Sequence, residues 1–508
     1  MSGIKKLAGQ TLWYGIPTIA YRFLGYLMNM TLPFFIDMPE ETADLVQVYA
    51  MIPFLNAIYA YGLETAYFKF SQTHDRDKLY STLSISLFSS TIFFSAIMWM
   101  LRGKITALAS LEHHPEYVLW MIGILAIDNL NTLPFAKLRQ ENRPRMYAFA
   151  RVAAIFTNIA VVIFFIGIVP NILKKNPNSF IANFYWPALG IGYYLVGNII
   201  ENIVTLIILN KELRQIKLKF SFKLWKEVIR YSAPLIIVGL GGMINDVLSR
   251  LIYRHVVGLP EQLANREAGV FANIFRLALL TTIMIQAFRM AAEPFFFNQS
   301  KSENAQKTYA RVMKFFVITC CFMFLFIGLF LDVFQWIFLT FSSKNWVEGF
   351  RAIPILALGN IFLGVYYNLS IWYKLTNKNT IGAMITIAGA IITIGLNILL
   401  IPKFHYYGAA VATFSCYFFM MISSYKLGQK YYPVPYAVKK LTAYIVLVVL
   451  IYLTHWGLNT IIKNQLWFSI GTAFMFLYFF IRFVGKIEAK ELSRMPFVER
   501  FYKVDRAG

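Results

Sequence analysis

The chain has 508 residues, 58% of them hydrophobic and only 14% charged, with a formal net charge of +23. A soluble protein of this length carries nearly twice that charge fraction, and a chain this apolar in water would expose far more apolar patch than soluble proteins tolerate. Composition therefore excludes a soluble enzyme or binding module and predicts an all-α polytopic membrane protein, the aromatic content of 17% fitting rings at lipid and headgroup level.

A hydrocarbon core of roughly 30 Å needs about 20 apolar residues of helix. Taken in chain order, that length predicts fourteen spans, near 11–36, 44–68, 79–101, 116–136, 146–170, 184–209, 231–256, 267–297, 312–334, 350–373, 380–401, 407–428, 436–456 and 465–484. The first follows Lys5 and Lys6 but is too long for a signal peptide and lacks a small-residue cleavage site. Placing the N-terminus in the cytoplasm assigns 33 Lys and Arg to cytoplasmic segments, 9 to external loops and six to spans. A missed span would invert every later loop, so this bias predicts fourteen helices with both termini cytoplasmic.

The predicted organisation is an N-terminal lobe over 1–210, a basic cytoplasmic linker over 211–230, a C-terminal lobe over 231–430, and two further spans with a basic tail over 431–508. The linker, Lys211-Glu-Leu-Arg-Gln-Ile-Lys-Leu-Lys219 onward to Arg230, reads as an amphipathic stretch on the membrane surface rather than a nucleic-acid site. The two lobes look like a repeat. Lys137-Leu and Lys374-Leu each open a polar turn and an apolar helix with an asparagine near its far end (Asn158, Asn397). Glu64 and Glu293 close matching spans, and Pro17 and Pro234 stand near matching starts. Parallel repeats of this kind are a transporter plan with the substrate path between halves.

No P-loop, nucleophile elbow or Gly-rich phosphate loop is present, and the longest external loops have only about 13–16 residues, too short for a polymerase or ligase domain. Cys320, Cys321 and Cys416 sit in apolar runs and read as small hydrophobes, and the six histidines have no metal-ligand spacing. The residues that ask for a reason are charges inside spans, each costing about 2.5–3.5 kcal/mol at mid-bilayer on insertion scales. They are Arg22, Arg151, Arg250, Arg254, Arg276 and Arg289 with Glu64, Asp128, Glu201, Asp246 and Glu293. In one reading they neutralise one another, Asp246 with Arg250 and Arg289 with Glu293 at i,i+4, and Glu64 with Arg22 between helices. In the other they line a wet cavity for a diphosphate, for which Arg offers bidentate, permanently charged donors. On depth, Arg22, Arg250 and Arg276 are the candidate substrate contacts and Asp128, Glu201 and Asp246 the candidate coupling or gating acids. Glu64, Arg151, Arg289 and Glu293 lie at the cytoplasmic entrance. The Gly239-Leu-Gly-Gly242 run in span 7 reads as a hinge or a close helix contact.

The chain resembles the polysaccharide flippases of O-antigen type, within the multidrug/oligosaccharidyl-lipid/polysaccharide exporter superfamily. The likeness is carried by Gly62-Leu-Glu-Thr-Ala-Tyr-Phe-Lys-Phe70, Ile244-Asn-Asp-Val-Leu-Ser-Arg-Leu-Ile252, Ala287-Phe-Arg-Met-Ala-Ala-Glu-Pro-Phe295, Asn397-Ile-Leu-Leu-Ile-Pro402 and Tyr407-Gly-Ala-Ala-Val-Ala-Thr413. The Asp-Arg step usual in span 7 is here spread over Asp246 and Arg250. The resemblance implies two six-helix lobes plus two C-terminal helices and alternating access in a bacterial inner membrane. The implied cargo is a polyprenyl-diphosphate-linked oligosaccharide, moved outward for cell-surface polysaccharide such as lipopolysaccharide. It implies no bond chemistry, no cofactor beyond a coupling H+ or Na+, and membrane lipids and other glycan-assembly proteins as partners. A lipid II flippase and a twelve-span multidrug exporter with an acid-dominated cavity are the related alternatives.

Overall fold

In a computed structural model the protein is helical throughout its described part. The structure describes residues 38–71, 73–141, 143–300, 302–342, 344–376, 378–462 and 465–492, with isolated positions before 38; for 233–246, Glu293 and a few others it describes backbone only. The first predicted span and Arg22 lie outside the described residues, as do the side chains of Asp246 and Glu293.

The helices follow the apolar runs in order. Helix α1 (Ala43–Ala60) stops where Tyr61 takes φ 30°, a left-handed value costly for a side-chain-bearing residue, and α2 (Leu63–Phe70) continues in a new direction. Helix α3 (Arg76–Met100) is capped by Asp75, whose carboxylate accepts from the Lys78 N–H at 2.7 Å. Then come α4 (Glu116–Gln140), α5 (Pro144–Val162, opened by a proline at its first turn) and α6 (Tyr193–Ile208). After the basic connector follow α7 (Phe222–Val256), α8 (Glu261–Gln299), α9 (Ala305–Leu329), α10 (Leu331–Phe341) and α11 (Ile353–Leu369). Helix α12 (Asn379–Tyr431) precedes α13 (Val438–Ile461) and α14 (Leu466–Ile487).

Ten helical stretches among the described residues are long and apolar enough to cross a bilayer, or eleven with the bent pair Glu261–Ala278 and Leu280–Gln286. This is a multi-pass membrane protein. Two of the predicted spans, 380–401 and 407–428, fall within one helix. Helix α12 runs 53 residues, about 80 Å at 1.5 Å per residue, and breaks inside at His405, whose φ is 52°. The break folds Gly408 against the Leu400 carbonyl, where a Cβ would come within 2.4 Å, so only glycine fits.

By packing, the chain divides into two units: residues 1–276 with 379–416, and 277–378 with 417–508. In the first, α5 lies along α6, α4 against α3 and α6, and α1 against α4 and α7. Leu63, Tyr67, Leu79, Leu83, Leu133 and Val228 form one of its cores. In the second, α9 packs on α11, α13 and α14, burying Val317, Cys320, Cys321, Phe324, Ile361 and Val448. All three cysteines are buried and unbridged.

Candidate functional site

Polar side chains in the first unit fall into three layers along the helices. The middle layer starts with α6, where Tyr194, Asn198, Glu201, Asn202 and Thr205 recur at helical spacing and share one face. Glu201 is only 4% exposed and accepts from Asn158 Nδ2 of α5 at 2.5 Å, both side chains being buried. Asn198 donates to the Tyr49 hydroxyl of α1, whose ring meets that of Tyr194 edge-on. Arg276, 9% exposed on α8, lies within electrostatic reach of the Tyr194 hydroxyl, as does Glu201. A permanent cation, a carboxylate and a phenol thus converge in one buried place.

Asp128, about 18 Å along α4 from its start, accepts from Asn56 Nδ2 of α1 at 2.8 Å and feels the charge of Arg151. Arg151 stacks over Phe135 at 4.0 Å, and Arg250 over Phe275 at 4.9 Å, contacts that shelter a guanidinium in apolar surroundings. The belt can hold an anion by Arg276 and exchange a proton or small cation at Asp128 or Glu201. Among the described residues no three His, Cys, Asp or Glu side chains group as a metal site would need.

At one end of this unit α7 closes on α1. Buried Arg254 donates to Asp44 Oδ1 at 2.8 Å and to the Ser110 carbonyl at 2.7 Å. Gln47 donates to the Leu251 carbonyl, and His113 meets Glu261 at 3.0 Å. Gly269 lies so close to the Pro39 carbonyl that a Cβ would come within 2.1 Å.

At the other end Glu64 pairs with Arg139 of α4. The partner expected from the sequence, Arg22, lies outside the described residues. The connector is pinned as well as basic. Glu212 is fully buried against Arg143 at 2.5 Å, its carbonyl accepts from the Tyr80 hydroxyl, and Ser81 Oγ and Thr82 Oγ1 accept from the Lys217 and Ser221 N–H groups. Burial works against the Arg143 charge, but the Glu212 and Glu141 carboxylates more than compensate and raise its pKa.

In the second unit Arg289 is exposed and lies over the Tyr367 ring at 4.5 Å. Two clusters there had no sequence signal beyond residue type. Lys314 and Lys440 meet Glu488 at 2.7 and 2.5 Å, with Tyr444 donating to the same carboxylate at 2.6 Å. Asp332 accepts from Asn459 and Ser469 at 2.8 and 2.6 Å. Asn158 and Asn397, both in the first unit, are buried hydrogen-bond donors to a neighbouring helix, Asn158 to Glu201 and Asn397 to Ser249 Oγ at 2.8 Å. Of the ten predicted site residues, Asp128 is brought within reach of Arg151, and Glu201 and Arg276 each act on the Tyr194 hydroxyl.

No protein-family model matches the chain, and no curated protein does either. Solved structures do. A structure of the lipid II flippase MurJ in an inward closed conformation aligns with TM-score 0.69 at 13% identity, covering 93% of this chain and 99% of that one. An inward-facing multidrug resistance transporter of the MATE family, in the MOP superfamily, aligns with TM-score 0.63 at 16% identity over 82% and 94%. The bent form of the Vibrio cholerae MATE transporter VcmN aligns with TM-score 0.57 at 12% identity over 88% and 99%. At such identities the likeness is one of fold: this chain folds as these membrane transporters do.

Proposed function

We propose that this protein belongs to the exporter superfamily of those transporters and flips a polyprenyl-diphosphate-linked oligosaccharide from the cytoplasmic to the external leaflet of a bacterial inner membrane. It does so by alternating access, and its lobes are 1–210 and 231–430, with the spans and tail of 431–508 outside the repeat. The observation that carries the reading is Arg276, kept charged and buried beside Tyr194 and Glu201. Holding a guanidinium there is costly, and a diphosphate rewards it with bidentate, charge-assisted hydrogen bonds that a neutral drug could not. With no substrate, Glu201 supplies the countercharge; a diphosphate takes over that role while Glu201, Asp128 or Asp246 binds the coupling H+ or Na+. Arg22 and Arg250 complete the substrate contacts, and Glu64, Arg151, Arg289 and Glu293 remain the proposed entrance. No bond is made or broken.

The test is export of surface glycan in a strain lacking the native protein, with membrane abundance measured alongside. Arg276→Lys and Arg250→Lys keep the charge but lose the forked donors, and each is expected to reduce export at normal abundance. Full export by both, with recovery of an Arg250→Ala defect by adding Asp246→Ala, would instead make these arginines ion-pair partners only. A second reading, carriage of lipid II, is favoured by the MurJ likeness over almost the whole of both chains. Rescue of a strain depleted of its lipid II flippase, without rescue of surface glycan, would select it.

A further inference from the structure

We propose that the first unit carries a structural binding site for an anionic phospholipid, one acyl chain lying in an apolar groove between α1, α3 and α7 and the phosphate on the lysines of the connector. The groove is separate from Arg276 and stands whatever the cargo proves to be. Its volume is about 500 Å³, within the ~300–1,000 Å³ of small-molecule sites. Three helix faces build it. Ser86, Ser89, Ser90 and Phe93 recur at i, i+3, i+4 and i+7 on α3, and Trp225, Ile229 and Ser232 at i, i+4 and i+7 on α7. Ile58 and Tyr61 close the third side, where the left-handed turn at Tyr61 swings α2 away and leaves the gap.

The wall is apolar because its hydroxyls are mostly engaged elsewhere. Ser86 takes the Trp225 indole N–H at 2.7 Å and lies 2.5 Å from the Tyr61 hydroxyl, and Ser90 donates to the Leu87 carbonyl at 2.9 Å. Ser232 is the exception. Fully buried at the groove, its hydroxyl has no hydrogen-bond partner among the described residues, so it is free to meet an ester oxygen.

Charge selects the headgroup. The connector reads Lys217-Leu-Lys-Phe-Ser-Phe-Lys223, and all of these side chains but Ser221 are exposed, Leu218 by 95%. Phe220 belongs to the groove wall, so the lysines stand at its mouth. Lys226 and Arg230 follow exposed on the first turns of α7. The acids here are Asp77, 3.6 Å from Lys217, and Glu227, which faces His74 at 3.6 Å. Alternating lysine and exposed aromatic residues suit a segment lying in an anionic headgroup layer. Because Ser81 and Thr82 pin the connector backbone, the lysines are held at the groove rather than spread over the surface.

Trp225 is a built-in probe. The full-length protein is placed in nanodiscs of phosphatidylcholine with a minor fraction of either phosphatidylglycerol or further phosphatidylcholine carrying brominated chains. Quenching assigned to Trp225 is the difference between wild type and Trp225→Phe. Brominated phosphatidylglycerol is expected to quench Trp225 at least fivefold more effectively than brominated phosphatidylcholine at the same fraction, fivefold being about what one lysine near an anionic headgroup contributes. The variant Lys217→Gln/Lys219→Gln/Lys223→Gln should bring that ratio close to one, and Ser90→Phe should reduce quenching by both lipids. Equal quenching by the two lipids in the wild type overturns the site, and so does a ratio that survives the triple substitution. Undecaprenyl phosphate displacing the brominated lipid at lower mole fraction than phosphatidylglycerol would overturn its assignment to bulk phospholipid. The lysine variant alters only exposed side chains, so the outcome does not depend on Ser90→Phe folding.

Discussion

The two units place their polar groups differently. In the first, acids, amides and phenols sit midway along helices: Asp128 with Asn56, Glu201 with Asn158, Tyr49 with Asn198. In the second, a continuous apolar core fills the middle of α9, α13 and α14, and the acids stand at helix ends, Glu488 just past α14 with Lys314 and Asp332 in the first turn of α10 with Asn459. Within its helices Asn360 donates to Thr281 Oγ1 and the Ala278 carbonyl at 2.9 Å, and Arg289 lies over the Tyr367 ring. Charge at a helix end reaches the headgroups cheaply, whereas mid-helix charge is retained against a cost. Among the described residues, mid-helix carboxylates therefore mark the first unit and not the second.

The largest expected effects test that contrast directly. Arg276→Lys or Glu201→Gln should lower transport by roughly 10–100-fold with thermal stability in detergent little changed, because what is lost is fork geometry or a titratable group. Lys314→Gln should do the opposite, lowering the melting temperature while leaving transport per folded molecule near normal. If these two patterns were exchanged, the contrast between the units would carry no functional meaning. Next in size is Asp44→Asn. Arg254 keeps the Ser110 carbonyl but loses its carboxylate in a buried pair, and breaking such a pair from one side costs about 3 kcal/mol. A thermal melt beside that of the wild type checks it.

The helical architecture was legible from residues alone because long apolar runs allow nothing but helices in lipid, and the predicted spans from 44–68 onward overlap described helices, two of them both within α12. The charged members of the site were legible by cost. Their partners were not. Asn56, Tyr49 and Asn198 are uncharged, and a single amide or phenol in an apolar helix carries little signal until its neighbours are known. The spacing of Tyr194, Asn198, Glu201 and Asn202 on α6 was the available hint. Glu212 was hidden by its surroundings: one acid in a basic run reads as solvated, and only the fold shows it fully buried against Arg143. The Glu64–Arg139 pair joins α2 to α4, a choice of neighbour that no periodicity encodes.

A smaller effect is expected at the end of α14. Burial alone would raise the pKa of Glu488, but hydrogen bonds from Lys314, Lys440 and Tyr444 outweigh it and hold the carboxyl below its ordinary value. A carboxyl whose folded pKa is depressed adds stability that is fully present above its unfolded pKa, about 4.3, and is lost as pH falls through the folded value. The melting temperature should therefore drop as pH falls below about 4.3, and Glu488→Gln should flatten that dependence while costing about 2 kcal/mol at neutral pH. Glu491, 2.6 Å from Lys314, keeps the loss below that of a fully stranded charge. An unchanged acid limb in the variant would move the polar anchor of the second unit elsewhere.

The smallest effect belongs to the contact between His113 and Glu261, and it sharpens what closes the first unit at that end. Both side chains are more than three-fifths exposed, so water and salt screen them, and exposed pairs contribute about 0–1 kcal/mol. Buried Arg254 with Asp44, the Gln47 hydrogen bond to the Leu251 carbonyl and the close approach of Gly269 to Pro39 act at the same end without that screening. If those buried contacts hold α7 and α8 against α1, His113→Ala should shift the melting temperature by no more than about 2 °C, a ΔΔG within ~0.5 kcal/mol. Raising the salt concentration should then change wild type and variant alike. A larger shift for His113→Ala than for Asp44→Asn would reverse the ranking and make the exposed histidine pair the principal clasp.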